Sequence, residues 1–96
     1  MNTSSRKTEK AKVLLQEALN GVRQANLAWA DFPLDFTTEE ELASFGHELE
    51  QMLESINTGK ARDVPGLWRI VIDMWPYTNQ LRQKIVDAEL AFEELH

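Results

Sequence analysis

The sequence contains no cysteine, which excludes disulfide bonds, thiolate zinc sites and cysteine nucleophiles. It also lacks any run of about 18 uninterrupted apolar residues, so we expect no membrane-spanning helix. Residues 1–12 are polar and basic with no apolar run behind them, which is unlike a secretory signal. Together these absences favour a cytoplasmic protein.

Basic residues are missing from one long stretch of the chain. Between Gln24 and Gly59 there is no Lys or Arg, whereas eight acidic residues lie from Asp31 to Glu54. The net charge of the whole chain is −6 at pH 7, which disfavours contact with nucleic acid and anionic lipid. Weak nucleic-acid binding remains an alternative only through a basic N-terminal arm. The basic residues of that arm are Arg6, Lys7, Lys10 and Lys12.

The size and composition of the chain indicate one folded domain. The 96 residues are 43% hydrophobic and 27% charged, which is typical of a globular domain rather than of a disordered chain. We therefore predict a single helical domain over residues 1–96, with a disordered tail at residues 1–5.

Apolar residues recur at alternating intervals of three and four in three segments, which is the spacing of amphipathic helices. No segment alternates with a period of two, so we expect no sheet. We predict an all-α, antiparallel three-helix bundle with helices at about 8–31, 38–57 and 65–95. The stripe of the first helix comprises Ala11, Leu15, Ala18, Val22, Ala25, Trp29 and Phe32. That of the second comprises Leu42, Phe45, Leu49, Met52 and Ile56.

Capping signals define the second helix and the start of the third. Thr37 or Thr38 can form a capping box with a Glu three residues later, and the acidic first turn suits the positive end of the helix dipole. Gly59 is a typical helix terminator, and Pro65 favours the first turn of the next helix.

The last helix crosses a proline. One four-three alternation continues on both sides of Pro76, so we predict one long helix that is kinked there. The alternative is a break at Trp75–Pro76 and four helices. The continuous stripe comprises Leu67, Val71, Met74, Thr78, Leu81, Ile85, Ala88, Phe92 and Leu95.

A three-helix bundle would separate charge between its two ends. The basic end would carry Arg6, Lys7, Lys10, Lys12, Lys60, Arg62 and Arg69. The opposite end would form an acidic tip of Asp31, Asp35, Glu39, Glu40, Glu41, Asp87, Glu89, Glu93 and Glu94. We expect this tip to attract a basic protein partner, with Glu40 and Glu93 among the contacts.

Two apolar segments are candidate interfaces. Trp68, Ile72 and Trp75 form a second stripe on the last helix, which predicts a homodimer, although packing within the bundle is the alternative. The connection that contains Phe32, Leu34 and Phe36 predicts either a plug at the end of the bundle or a docking loop.

No constellation of catalytic or metal-ligating residues is complete. His47 lacks a second His four residues later, where Gln51 stands. His96 follows Glu93 at a di-iron spacing, but the other carboxylates and the second histidine of such sites are missing. We therefore predict no metal, no cofactor and no enzyme, and a protein of the adaptor, inhibitor or regulatory type. The alternative is a small all-α enzyme with a pocket between helices.

Overall fold

The described fold is built from helices and the connections between them. The structure, a computed structural model, describes residues 3–60 and 63–95. These residues form α1 (Thr3–Leu27), α2 (Glu39–Thr58), α3 (Leu67–Met74) and α4 (Gln80–Glu93), without any strand. The prediction of an all-α protein is confirmed. No helix in this part of the chain is both long and apolar enough to cross a bilayer.

The first helix differs from its predicted bounds at both ends. It begins at Thr3, so residues 3–5 belong to α1 rather than to a tail, while Met1 and Asn2 lie outside the described residues. It ends at Leu27, where a hydrogen-bonded turn follows in which Phe32 N–H donates to the carbonyl oxygen of Ala28 at 2.8 Å.

One half of the predicted capping box and the predicted glycine terminator are present in α2. Thr38 is the N-cap and accepts the backbone N–H of Glu41 at 3.0 Å. The carboxylate of Glu41 turns instead to the hydroxyl of Thr37, 2.5 Å away. Gly59 ends the helix in the left-handed region, at φ 74°, where glycine is favoured.

The prediction of one continuous last helix is wrong, and the alternative of four helices with a break at Pro76 matches the described residues. A residue before proline is forced into the extended region, and Trp75 has ψ 145°. Helix α3 therefore ends at Met74, and a turn at Pro76 follows, closed by the Asn79 N–H to the Pro76 carbonyl. The side chain of Asn79 then caps α4 through the backbone N–H of Arg82.

The predicted apolar stripes form most of the core. Most predicted positions of α1 and α2 are buried, but Ala25, Trp29 and Ile56 are only partly buried, and Leu19 is buried although it was not predicted. Phe32 is exposed because the helix ends before it. In α3 and at its C-cap the core side chains are Leu67, Val71 and Trp75, whereas the predicted Met74 and Thr78 are exposed. In α4 the core again follows the prediction, with Ile85, Ala88 and Phe92 buried.

Helix α1 packs against both α2 and α4, and α3 packs against α4. The end of α1 meets the start of α2, where the Asn26 side chain donates to the Glu39 carbonyl at 3.0 Å. The start of α4 lies beside the later part of α1, since a Cβ at Gly21 would come 2.7 Å from Leu81. The other end of α4 returns to the beginning of α1, where Lys10 and Glu94 line one groove.

Candidate functional site

Trp75 packs against two other aromatic rings at one end of the molecule. Its ring centroid lies 5.0 Å from that of Phe36 and 5.8 Å from that of Phe45, and the residue is only 3% exposed. Trp75 is therefore a core residue, which is the alternative that the sequence leaves open, and its assignment to an interface is wrong. The break before Pro76 brings the indole into the core in place of Met74.

The connection between α1 and α2 is divided between core and surface. Leu34 and Phe36 are half-buried and pack against the core, as a plug would. Phe32, two residues before Leu34, is 74% exposed. The connection thus covers the end of the core with two of its apolar side chains and presents the third to solvent.

We call the surface formed by residues 27–41 and 74–79 the acidic end. The Trp75–Phe36 contact joins its two segments. Of the eight exposed large hydrophobic side chains in the described residues, four belong to it, so apolar exposure is concentrated there. They are Leu27, Phe32, Met74 and Tyr77.

The acidic end also carries exposed carboxylates. Asp31, Asp35, Glu39 and Glu40 are exposed. Within residues 3–60 and 63–95, the ion pairs join Lys12 to Glu9 and Arg23 to Glu50, so none of these four carboxylates is neutralised by one. This part of the predicted acidic tip is present.

The other part of the predicted tip lies elsewhere. Glu93 and Glu94 follow Phe92, which lines a cavity with Thr8 and Lys60 at the opposite end of α1. The turn at Pro76 adds a chain reversal that the three-helix prediction lacks, and this reversal carries the end of α4 away from Glu40. The predicted pairing of Glu40 and Glu93 at one tip is wrong.

The outer side of α3 is partly apolar. Trp68 is half-buried, and the Arg69 guanidinium lies 5.2 Å from the centre of its ring. Ile70 and Ile72 are exposed. The three residues of the predicted stripe therefore differ in position, because Trp68 is half-buried, Ile72 is on the surface and Trp75 is in the core.

Glu89 is a buried carboxylate that the sequence analysis assigned to the surface. It is fully buried, and its two oxygens accept the backbone N–H groups of Leu67 at 3.0 Å and Trp68 at 2.9 Å. Burial raises the pKa of Glu89. The N–H donors of α3 lower this pKa and Glu93 raises it slightly. Glu89 thus caps the start of α3, where Gly66 offers no side chain.

Helix α4 holds α3 at a second point. Arg82 Nε donates to the carbonyl oxygen of Val71 at 3.2 Å, in the last turn of α3. An acidic group at the start of a helix and a basic group at its end both complement the helix dipole. Two side chains of α4 therefore fix the position of α3.

A groove of about 270 Å³ between α1 and α2 contains the polar groups nearest to a catalytic arrangement. Arg23 and Glu50 form an ion pair across it, and His47 lies at its edge with Asn26. In the described residues no group of His, Asp and Glu could hold a metal ion. His96, whose spacing from Glu93 is by itself insufficient for a di-iron site, lies outside the described residues.

Comparison with protein-family profiles and with curated proteins finds no match for this chain.

One signal in the sequence could have revealed the role of Glu89. The start of α3 carries Pro65 and Gly66, neither of which has a side chain that accepts backbone N–H groups. Glu89 stands four residues after Ile85 and three before Phe92, on the buried side of α4. A carboxylate at a core position requires hydrogen-bond donors, and the first turn of a helix without a local cap has backbone N–H groups that require acceptors.

Proposed function

We propose that this protein is non-catalytic and acts by contact with another protein, as an adaptor, inhibitor or regulator, with the acidic end as its contact surface. The observation that carries the proposal is the grouping, at that end, of exposed apolar side chains with carboxylates that have no ion-pair partner among the described residues. Apolar anchors within a charged rim are the usual composition of a protein interface.

The experiment places a photo-crosslinking amino acid at Phe32 or Tyr77 in the native host. Val13, which is 55% exposed on α1, is the control position. We expect positions 32 and 77 to capture the same protein and position 13 not to capture it. Identical crosslinking patterns at all three positions would contradict the assignment of the contact surface to the acidic end.

A second candidate function is self-association, in which the outer side of α3 packs against a second copy of the protein. The exposed Ile70 and Ile72 favour it, because large apolar side chains close together are typical of homodimer contacts. Sedimentation should then report about twice the chain mass of 11.0 kDa. Ile72→Asp should restore the monomer, since a buried unpaired charge is strongly unfavourable. A wild-type monomer at high concentration would exclude this dimer.

A further inference from the structure

We propose that the partner of the acidic end is a basic amphipathic segment of another protein. This proposal rests on the proposed function and names the class of its partner. The segment would place apolar side chains against Phe32, Met74 and Tyr77, and Lys or Arg side chains against the exposed carboxylates of that end.

The apolar side chains of the acidic end are well exposed. Phe32 is 74% exposed, Met74 66% and Tyr77 83%, and each lies within four residues along the chain of Phe36 or Trp75, whose rings are in contact. The rings of Phe36, Trp75 and Phe45 pack on one another, so the two segments that carry these side chains are joined by an aromatic layer. Amphipathic segments bind such surfaces with side chains from one face.

Charge selects among the possible occupants. Asp31, Asp35, Glu39 and Glu40 have no ion-pair partner in the described residues, so they repel an acidic surface and attract a basic one. A second copy that presented the same end would bring like charges together, which is unfavourable. Complementarity therefore favours a basic segment over a symmetric contact between two acidic ends.

An unsatisfied polar group marks the same place. The indole N–H of Trp75 is buried and has no acceptor in the described part of the chain. A buried donor without an acceptor is rare in folded proteins, and such departures from ideal packing are concentrated at functional sites. The indole N–H is also a reporter, because its NMR signal is sensitive to any group that approaches the aromatic layer.

The test is an NMR titration with a synthetic helical peptide of about 15 residues, built from Lys and Leu with one apolar face. Two matched peptides are the same composition in scrambled order and the Glu counterpart. We expect the amphipathic Lys peptide to shift the signals of residues 28–38 and the indole N–H of Trp75. The indole N–H of Trp68, roughly 10 Å along α3, should move much less.

Matched variants locate the binding. Asp31→Asn with Glu40→Gln should weaken binding roughly threefold to tenfold, because each exposed ion pair contributes little alone. Glu93→Gln with Glu94→Gln removes the same charge at the opposite end and should change the affinity less than twofold. Phe32→Ser should weaken binding more than tenfold, as loss of an anchor does, whereas Val13→Ser should not.

The outcomes separate this proposal from the proposed function. Equal loss of affinity in the two charge variants, or equal binding of the scrambled peptide, would overturn the proposal. If the peptides do not bind but crosslinks at position 32 persist in cells, the partner class is wrong and the contact surface stands. If crosslinking also fails at position 32, both are wrong. Salt-sensitive self-association that Asp31→Asn with Glu40→Gln abolishes would identify a second copy as the occupant.

Discussion

The buried carboxylate of Glu89 provides the sharpest test of how this fold is held together. Glu89→Ala removes the acceptor of two backbone N–H groups, those of Leu67 and Trp68. The Leu67 bond is buried and the Trp68 bond is partly buried, so water can replace the acceptor only in part. An unmade buried hydrogen bond costs about 1–3 kcal/mol. The substitution also removes the desolvation cost of the buried carboxylate, which offsets part of this. We therefore expect the free energy of unfolding to fall by about 2–4 kcal/mol.

Urea denaturation measures this loss. A chain of this length has a free energy of unfolding of roughly 5–14 kcal/mol, so the loss is a large part of the total. With a denaturant dependence of about 1–2 kcal/mol per molar urea, the midpoint should fall by roughly 2 M at mildly acidic pH. Loss of helical circular dichroism before the main transition would indicate that α3 separates first. A change below about 0.5 kcal/mol would show that the two hydrogen bonds do not hold α3.

The pH dependence of stability shows whether desolvation or the backbone hydrogen bonds dominate at Glu89. Burial raises its pKa above the ordinary value of 4.5, so the folded chain holds this proton more tightly than the unfolded chain does. Its contribution to stability is therefore complete below the unfolded pKa and declines as the pH rises through the folded pKa. The difference in stability between wild type and Glu89→Ala should narrow over that interval.

The matched variant Glu89→Gln separates charge from shape. Its amide keeps one acceptor oxygen and does not titrate, so it should resemble wild type at low pH and keep its stability as the pH rises. Comparing the three proteins at each pH cancels the other carboxylates, which all three share. If the difference between wild type and Glu89→Ala instead widens with pH, the hydrogen bonds outweigh desolvation and the assigned direction of the pKa shift is wrong.

Three further substitutions test the helix boundary at Pro76 and the contacts of α1. Pro76→Ala should lower the stability by about 0.5–1 kcal/mol through the freer unfolded chain, without increasing the helical circular dichroism. An increase in helicity would show that α3 and α4 fuse. Gly46→Ala should raise the stability by about 0.5–1 kcal/mol, because its Cβ would meet its nearest neighbour at 3.6 Å. Gly21→Ala should gain less, since its Cβ would lie 2.7 Å from Leu81, and thermal unfolding of both variants compares them.

The bounds of α2 could be predicted because its signals are local. Thr38, the acidic first turn and Gly59 each act within a few residues of the helix end that they define. The apolar stripes of α1 and α2 could be predicted for a similar reason, since one helix face is read directly from the spacing. The cap of α3 by Glu89 could not be located in this way, because its donors lie 21 and 22 residues away along the chain.

The turn at Pro76 was mispredicted because spacing alone does not distinguish neighbouring positions at a helix end. Val71 lies four residues after Leu67, so an alternating pattern selects Met74, three residues later, as the next buried position. Trp75, four residues after Val71, lies on nearly the same helix face, and it is the residue that is buried. Two local signals pointed to the break. Proline restricts the backbone of Trp75, and Asn79 is a strong N-cap residue three positions later.

The turn at Pro76 changes which residues lie together on the surface, but it changes few of the buried positions. The stripe of Ile85, Ala88 and Phe92 can pack in either chain direction, so a wrong number of reversals leaves the predicted core of α4 intact. The ends of the molecule have no such symmetry. With the reversal at Pro76, the carboxylates after Phe92 lie near the start of α1, and Tyr77 takes their place at the acidic end. A prediction of which charged residues share one end of the molecule therefore requires the correct number of chain reversals between them. The binding experiments consequently use Glu93 and Glu94 as controls, although the three-helix prediction would have placed them in the site.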